Sequence, residues 1–377
     1  MLDCTVKFPY TQYMFTLTNA SSETKTILKW GGIILGAAVV IFIIFRVVLF
    51  LGQAIFPPPP PKPTLGFEKL TYPKFPRSVT GKTFTYYINT VTGDLPQLPA
   101  VAKINRIEFP KPDLLSLKNA GDRVAKVGFT KGPVKISNTL YEWTNDTENS
   151  TNTLKKKIRV NILNFNFNVT SDPFSNPDVV AGKNLPTKEG AISSAENFLK
   201  SSGYLKNSDR ENEEEKEGDI DLTKTQTKIY SLQNGGFIEA SSISSAQVIQ
   251  VIFSQKDIDD IPIVYKKPGQ SNIDVLIVGG SFQGQVLAAN YTLHAVSDAS
   301  STYPILTSQQ AFEELKKGNA FIASYNGNQT NISIKKVYLA YFFSDQAQEY
   351  TMPVIVFEGD EGFFAYVRAV TDEWVNK

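Results

Sequence analysis

Cysteine and histidine each occur once in the 377-residue chain, as Cys4 and His294. A single cysteine excludes an intramolecular disulfide and a Cys-based zinc site. A single histidine excludes a multi-histidine metal centre and leaves one ring for any His-activated nucleophile. Excess charge is missing as well: 38 Lys and Arg stand against 37 Asp and Glu, a net charge of +1. Nucleic-acid binders carry a basic face, so this balance gives no electrostatic case for one. Neither a GxxxxGK[ST] phosphate loop nor a GxSxG elbow occurs. "VGGSFQGQ" (278–285) is rich in glycine, but it lies between two strand-like runs with no helix start to receive a phosphate. It reads as a hairpin turn.

What is present begins with "GGIILGAAVVIFIIFRVVLFLGQAIFPPPPPKP" (31–63), where Arg46 is the only charge between Gly31 and Phe56. About 20 apolar residues suffice to cross the hydrocarbon core of a bilayer. The predicted division is therefore a short N-terminal segment (1–29), a transmembrane helix (30–56) and a proline spacer (57–64). The apolar run is too long and starts too far into the chain for a cleaved signal peptide. Arg46 either snorkels to the nearer interface or pairs with a group on another protein's helix. Gly32 and Gly36 form a GxxxG step that permits close helix approach. Gly32, Gly36 and Arg46 are thus the candidate contacts to a membrane partner. The prolines favour an extended arm of about 20 Å. Lys25 and Lys29 on one side nearly balance Lys62, Lys69 and Lys74 on the other. Long domains translocate largely regardless of such charges, and the expected topology places the body outside the cytoplasm. Seven Asn-x-Ser/Thr sequons include Asn168 and Asn290; in a chain rich in Asn, Ser and Thr they read as chance.

Beyond the spacer the periodicity predicts an α+β body of helix-plus-antiparallel-sheet units, divided into domains at 65–180 and 181–377. Three helices are expected. "DLLSLKNAGDRVAKVGF" (113–129) has Asp113 as N-cap, a stripe of Leu114, Leu117, Ala120, Val124 and Val127, and Gly128 as stop. "TKEGAISSAENFLKSSGYL" (187–205) starts at Thr187, faces the core with Ala191, Ile192, Ala195, Phe198 and Leu199, and stops at Gly203. "TSQQAFEELKKGNAF" (307–321) has Thr307 and Gln310 at capping-box spacing, Ala311, Phe312 and Leu315 on its face, and Gly318 at its end. Strand-like runs lie between and after them: "KTFTYYINTV", "TLYEWTND", "KKKIRVNILNFNFNV", "AQVIQVIFSQ", "IPIVYKK", "IDVLIVGGSFQGQVLAANYTLH", "ISIKKVYLAYFFS", "MPVIVFEG" and "GFFAYVRAV". The acidic run "DRENEEEKEGD" (209–219) is expected to be a solvated loop rather than a calcium site.

The order "AQVIQVIFSQKDIDDIPIVY", "IDVLIVGGSFQGQVLAANYTLHAV", "YPILTSQQAFEELKKG", "IKKVYLAYFFS" and "MPVIVFEG" resembles the PepSY-like domains of YycI-type regulators. The resemblance runs from about Thr187 to Val370 and rests on element order and on the phrases "IDDIPIVY" and "YPI", not on catalytic residues. Those regulators are membrane-anchored, extracytoplasmic bacterial proteins that modulate a sensor kinase, and the resemblance implies a PepSY-like fold in a non-enzymatic regulatory or binding module.

Chemistry has few candidate residues. His294, in "NYTLHAV", is expected to be structural, and Tyr338, Tyr341, Phe342 and Phe343 to belong at least partly to the core. Asp257, Asp259 and Asp260, with Glu358, Asp360 and Glu361, offer carboxylate pairs of the kind glycoside chemistry uses. Both groups sit at turns, where acidic residues are expected anyway. The expectation is a non-enzymatic, single-pass, protein-binding or regulatory module of the bacterial envelope, requiring no cofactor. Its partners would be the lipid bilayer and a membrane protein, a sensor kinase or an assembly subunit, and not nucleic acid. The alternative is a structural or scaffold subunit of secretion or surface-appendage machinery.

Overall fold

The computed structural model describes residues 17–55, 61–111, 113–145, 154–173, 184–205, 219–233, 236–279 and 285–376. Residues 57–60 of the expected spacer, most of the acidic run (209–218) and the glycine-rich turn (280–284) lie outside them. The chain divides into two compact units, Met1–Pro60 and Pro61–Lys377.

The first unit contains helix α1 (Leu17–Ile55). Within it Leu28–Val47 is the one stretch among the described residues long and apolar enough to cross a membrane. In an apolar solvent a helix satisfies every backbone N–H and C=O internally, which makes this sequence a helix despite its β-branched residues. Its large side chains, from Leu28 and Trp30 to Val47, are exposed throughout.

The second unit is an α+β body. It runs through β1 (Thr85–Ile88), β2 (Val101–Ile107), α2 (Ser116–Ala125), β3 (Lys131–Lys135), β4 (Leu140–Thr144), β5 (Lys156–Asn161) and β6 (Phe167–Ser171). Next come α3 (Lys188–Ser201), β7 (Ile220–Gln233), β8 (Gly236–Glu239), β9 (Val248–Gln255), β10 (Ile263–Val264), β11 (Ile273–Val278) and β12 (Gln285–Tyr291). The chain closes with β13 (Val296–Pro304), α4 (Ser308–Lys316), β14 (Phe321–Ser324), β15 (Asn331–Phe342), β16 (Met352–Gly359) and β17 (Phe364–Arg368).

Three times a helix is followed by antiparallel strands: α2 by β3 to β6, α3 by β7, β8, β9, β11 and β12, and α4 by β14 to β17. The first two sets join into one nine-stranded sheet, β3-β4-β5-β6-β12-β11-β9-β7-β8. Their last strands meet where Phe167 to Val169 pair with Tyr291 to Ala289. The expected division after residue 180 therefore falls between strands of a single hydrogen-bonded sheet. The third set forms a six-stranded sheet, β1-β15-β16-β17-β14 with β10 also on β15. Its two parallel pairings, β1 and β10 on β15, come from strands outside the set.

Local signals explain the helix ends. The Thr187 hydroxyl accepts from the Gly190 N–H, and Thr307 with Gln310 closes a full capping box. Gly128, Gly203 and Gly318 each take the positive φ that ends the helix before them. Asp113 departs from expectation: its carboxylate accepts from the Leu115 N–H, one turn ahead of α2, so the helix begins at Ser116 without a side-chain cap. Leu114 consequently falls off the helical stripe and is fully exposed. The run 155–169 is two strands, β5 and β6, reversed through Phe165 at φ +59°. Polar strands such as β7 and β13 carry no clear alternation and escape sequence reading.

Helices α2 and α3 cover one face of the nine-stranded sheet, burying Ala120, Val124, Ala191, Ala195 and Leu199 against Ile158, Val169, Val251 and Val275. Helix α4 does the same for the six-stranded sheet with Ala311, Phe312 and Leu315. That sheet's other face, including Phe342, Val354 and Tyr366, packs under Tyr72 and Phe75 of the segment leading to β1. The segment is held by Leu70, bonded to Trp374 and Asn376, and by Ser78 and Val79, bonded to Ile322 on β14.

Candidate functional site

On α1, Gly32 and Gly36 have open space where a side chain would begin. The Arg46 guanidinium lies over the Phe42 ring, 5.5 Å from its centre. At 3.6 residues per turn, Gly32, Gly36, Val39, Ile43 and Arg46 fall within an arc of about 80°. They form one strip, with the two glycines toward its N-terminal end and the cation at its C-terminal end.

His294, Asp257, Asp259, Glu358 and Asp360, which suggested catalysis, are engaged in structural bonds, while Asp260 and Glu361 are exposed. His294 is buried beside Phe343, and its Nε2 donates to the Ser344 carbonyl at 2.7 Å. Its backbone N–H and C=O bond the Gln255 amide at both ends. Burial pushes its pKa below the usual 6.5, partly offset by the Ser344 bond. The unfolded chain therefore takes up a proton first. The stability tied to the neutral ring is complete above pH 6.5 and is lost as pH falls toward the lowered folded value. Between about pH 7 and pH 5 the denaturant midpoint of the native protein should fall further than that of His294→Gln. Equal slopes would remove His294 as the source.

Asp257 pairs with Lys224 at 2.6 Å and Asp259 with Lys103 at 2.9 Å. Glu358 accepts from the Tyr338 hydroxyl and Asp360 from the Ser333 N–H. No group of three or more His, Cys, Asp or Glu among the described residues is placed to hold a metal ion. Tyr341, Phe342 and Phe343 are wholly buried, with Tyr341 and Phe343 in one cluster and Phe342 in another. Strand alternation sends them to opposite faces, and both faces are covered.

A polar constellation lies where sequence reading looked for nothing. On the face of the nine-stranded sheet away from α2 and α3, cross-strand pairing aligns one residue from each of seven strands. The row is Glu142, Arg159, Asn168, Asn290, Asp274, Ile252 and Gln226. Flanking residues such as Trp143, Ile158, Val169, Ala289 and Val275 point into the helix-covered core, so the row is the opposite parity of ordinary apolar strands. Arg159 Nε donates to Glu142 at 2.8 Å and holds its carboxyl below the usual range. Asn168 donates to Asn290 Oδ1, and Asn290 donates to Asp274 Oδ1 at 3.0 Å. Gln250 donates to Asp274 Oδ2 at 3.0 Å, and its own carbonyl oxygen accepts from the Tyr230 hydroxyl.

Asp274 is 6% exposed, and no ion pair reaches it among the described residues. Burial raises its pKa against the pull of the two amide bonds. A buried carboxylate held only by neutral amides costs stability, and such groups collect at functional sites. Asp274, Gln250 and Asn290 line a cleft of about 410 Å³ with Lys266, Lys267, Ser271, Asn272, Thr292 and Asp345. The one sequence signal was a lone Asp inside the apolar phrase "IDVLIV".

No protein-family model and no curated protein matches the sequence. In structure, 70% of the chain aligns with 95% of the C-terminal domain of Bacillus megaterium YpeB, at 11% identity and a TM-score of 0.32. An uncharacterized protein from Eubacterium rectale aligns over 94% of its length with 80% of this chain, at 13% identity and a TM-score of 0.33. Likenesses this loose assign neither a family nor an activity to the chain.

Proposed function

We infer that this chain is a single-pass, membrane-anchored, non-enzymatic module that binds and regulates a membrane-protein partner, with its body outside the cytoplasm. The observation that carries this is the Leu28–Val47 stretch, apolar enough to span a bilayer and exposed along its whole length. Such a surface has no stable place in water, and lipid or another helix is its natural environment. The PepSY-like order of elements after Thr187 supports a regulatory role. On α1 the open Gly32 and Gly36 positions admit a second helix backbone, and Arg46 supplies a cation for its carboxylate or carbonyl.

The test is affinity purification of the full chain in a gentle detergent beside Arg46→Leu, Gly36→Leu and, on the far side of α1, Ile34→Ala. One membrane protein retained by the native chain and by Ile34→Ala, but lost from the other two, is the expected result. The same protein retained by all four would remove the Gly/Arg strip as the binding face.

A further inference from the structure

We propose that the polar row centred on Asp274 is a binding site for a neutral, hydroxyl-rich ligand, a saccharide of one or two rings. This is separate from the helix-mediated partner binding and stands or falls without it.

Four features of the cleft lead to that ligand class. Charge is balanced: Lys266 and Lys267 line the opening with Asp345 and Asp274, and Lys266 sits 3.7 Å from Asp345. A strongly anionic ligand would meet the Asp274 carboxylate, and a cationic one would meet the two lysines. Metal ions are disfavoured by the amide orientation. Gln250 and Asn290 turn their N–H groups toward Asp274, and their carbonyl oxygens are occupied by Tyr230 and Asn168.

Hydrogen-bonding capacity remains of both kinds. Asp274 accepts two bonds where a carboxylate accommodates about four. The Gln250 and Asn290 amides, which line the cleft, each use one N–H in the row and carry a second. The Thr292 hydroxyl and Lys267 add donors at the edge. Sugar hydroxyls donate and accept at once, and so match such a mixed array where an apolar compound would leave it unpaired. Finally, the size fits: about 410 Å³ falls in the lower part of the range for small-molecule sites.

The array is also preorganised. Each member stands on a strand, and the ladder fixes its spacing: Asn168 opposite Asn290, Asn290 opposite Asp274. Little side-chain ordering is left for binding to supply.

The experiment is isothermal titration of the full chain in a detergent without a sugar headgroup. The probes are maltose, cellobiose and chitobiose, with galacturonate and glycylglycine as anionic and amide controls. Saturable binding of at least one neutral disaccharide, stronger than either control, is expected. Asp274→Ala should weaken it about tenfold or more, the loss of a hydrogen bond to a charged group. Asn290→Ala, at an exposed position in the middle of the row, provides a second reading should Asp274→Ala fail to fold. Three results overturn the proposal: no neutral disaccharide binding at tens of millimolar, equal binding of the controls, or disaccharide binding unchanged in a folded Asp274→Ala or Asn290→Ala.

Discussion

Aspartate at both Ala38 and Ile41 should move the chain out of the carbonate-resistant membrane fraction. The two positions lie near the middle of Leu28–Val47 and on the side of α1 away from Gly32, Gly36 and Arg46. Each central aspartate costs about 2.5–3.5 kcal/mol in membrane insertion, so the pair costs about 5–7 kcal/mol. Among the described residues no second helix of membrane length is present to offset a penalty of that size. Because the substitutions avoid the Gly/Arg strip, the loss would report anchoring and not partner binding. Membrane retention of the double variant at the native level would mean that something other than this helix holds the protein there, and would remove the basis of the proposed function.

The largest expected loss of body stability is at Phe342. Its ring is fully buried on the outer face of the six-stranded sheet, 5.4 Å from the Phe75 ring centre, 6.1 Å from Tyr366 and 6.3 Å from Phe321. Truncation to alanine removes the transfer energy of the ring and leaves a cavity that close-packed neighbours fill only in part, a cost of about 3–5 kcal/mol. Leu114→Ala is the matched contrast. Sequence periodicity placed Leu114 on a core stripe, yet it is fully exposed, and its loss should change stability by less than about 0.5 kcal/mol. Urea midpoints at constant slope would measure both. A loss under about 1 kcal/mol at Phe342 would show that the segment carrying Tyr72 and Phe75 does not seal that face in solution.

The Leu114 contrast also shows where local patterns stop informing. Thr187, Thr307 and Gln310 act as read from sequence, because a cap is a bond between residues three apart. Asp113 carries the same residue-type signal, but its carboxylate closes a turn ahead of the helix. Choosing between those two local bonds depended on how α2 seats Ser116, Ala120 and Val124 in the core. Likewise "KKKIRVNILNFNFNV" alternates well enough to pass for one strand, and only the reversal at Phe165 divides it into two neighbours.

By itself, the sequence determined the features that depend on composition and short spacing. One cysteine and one histidine removed whole classes of metal and nucleophile chemistry. A predominantly apolar stretch of 20 residues made a membrane-length helix, and Thr and Gly punctuated the ends of α3 and α4. Period-two alternation told which parity of each strand is apolar. It could not say which strands are neighbours or in what register, because ladder bonds join residues far apart in the chain. The tertiary structure decided that β6 closes on β12, and with it that Glu142, Arg159, Asn168, Asn290 and Asp274 stand in one line. A one-residue slip at that junction would turn Asn290 and Asp274 into the helix-covered core, where an unpaired carboxylate is too costly to hold.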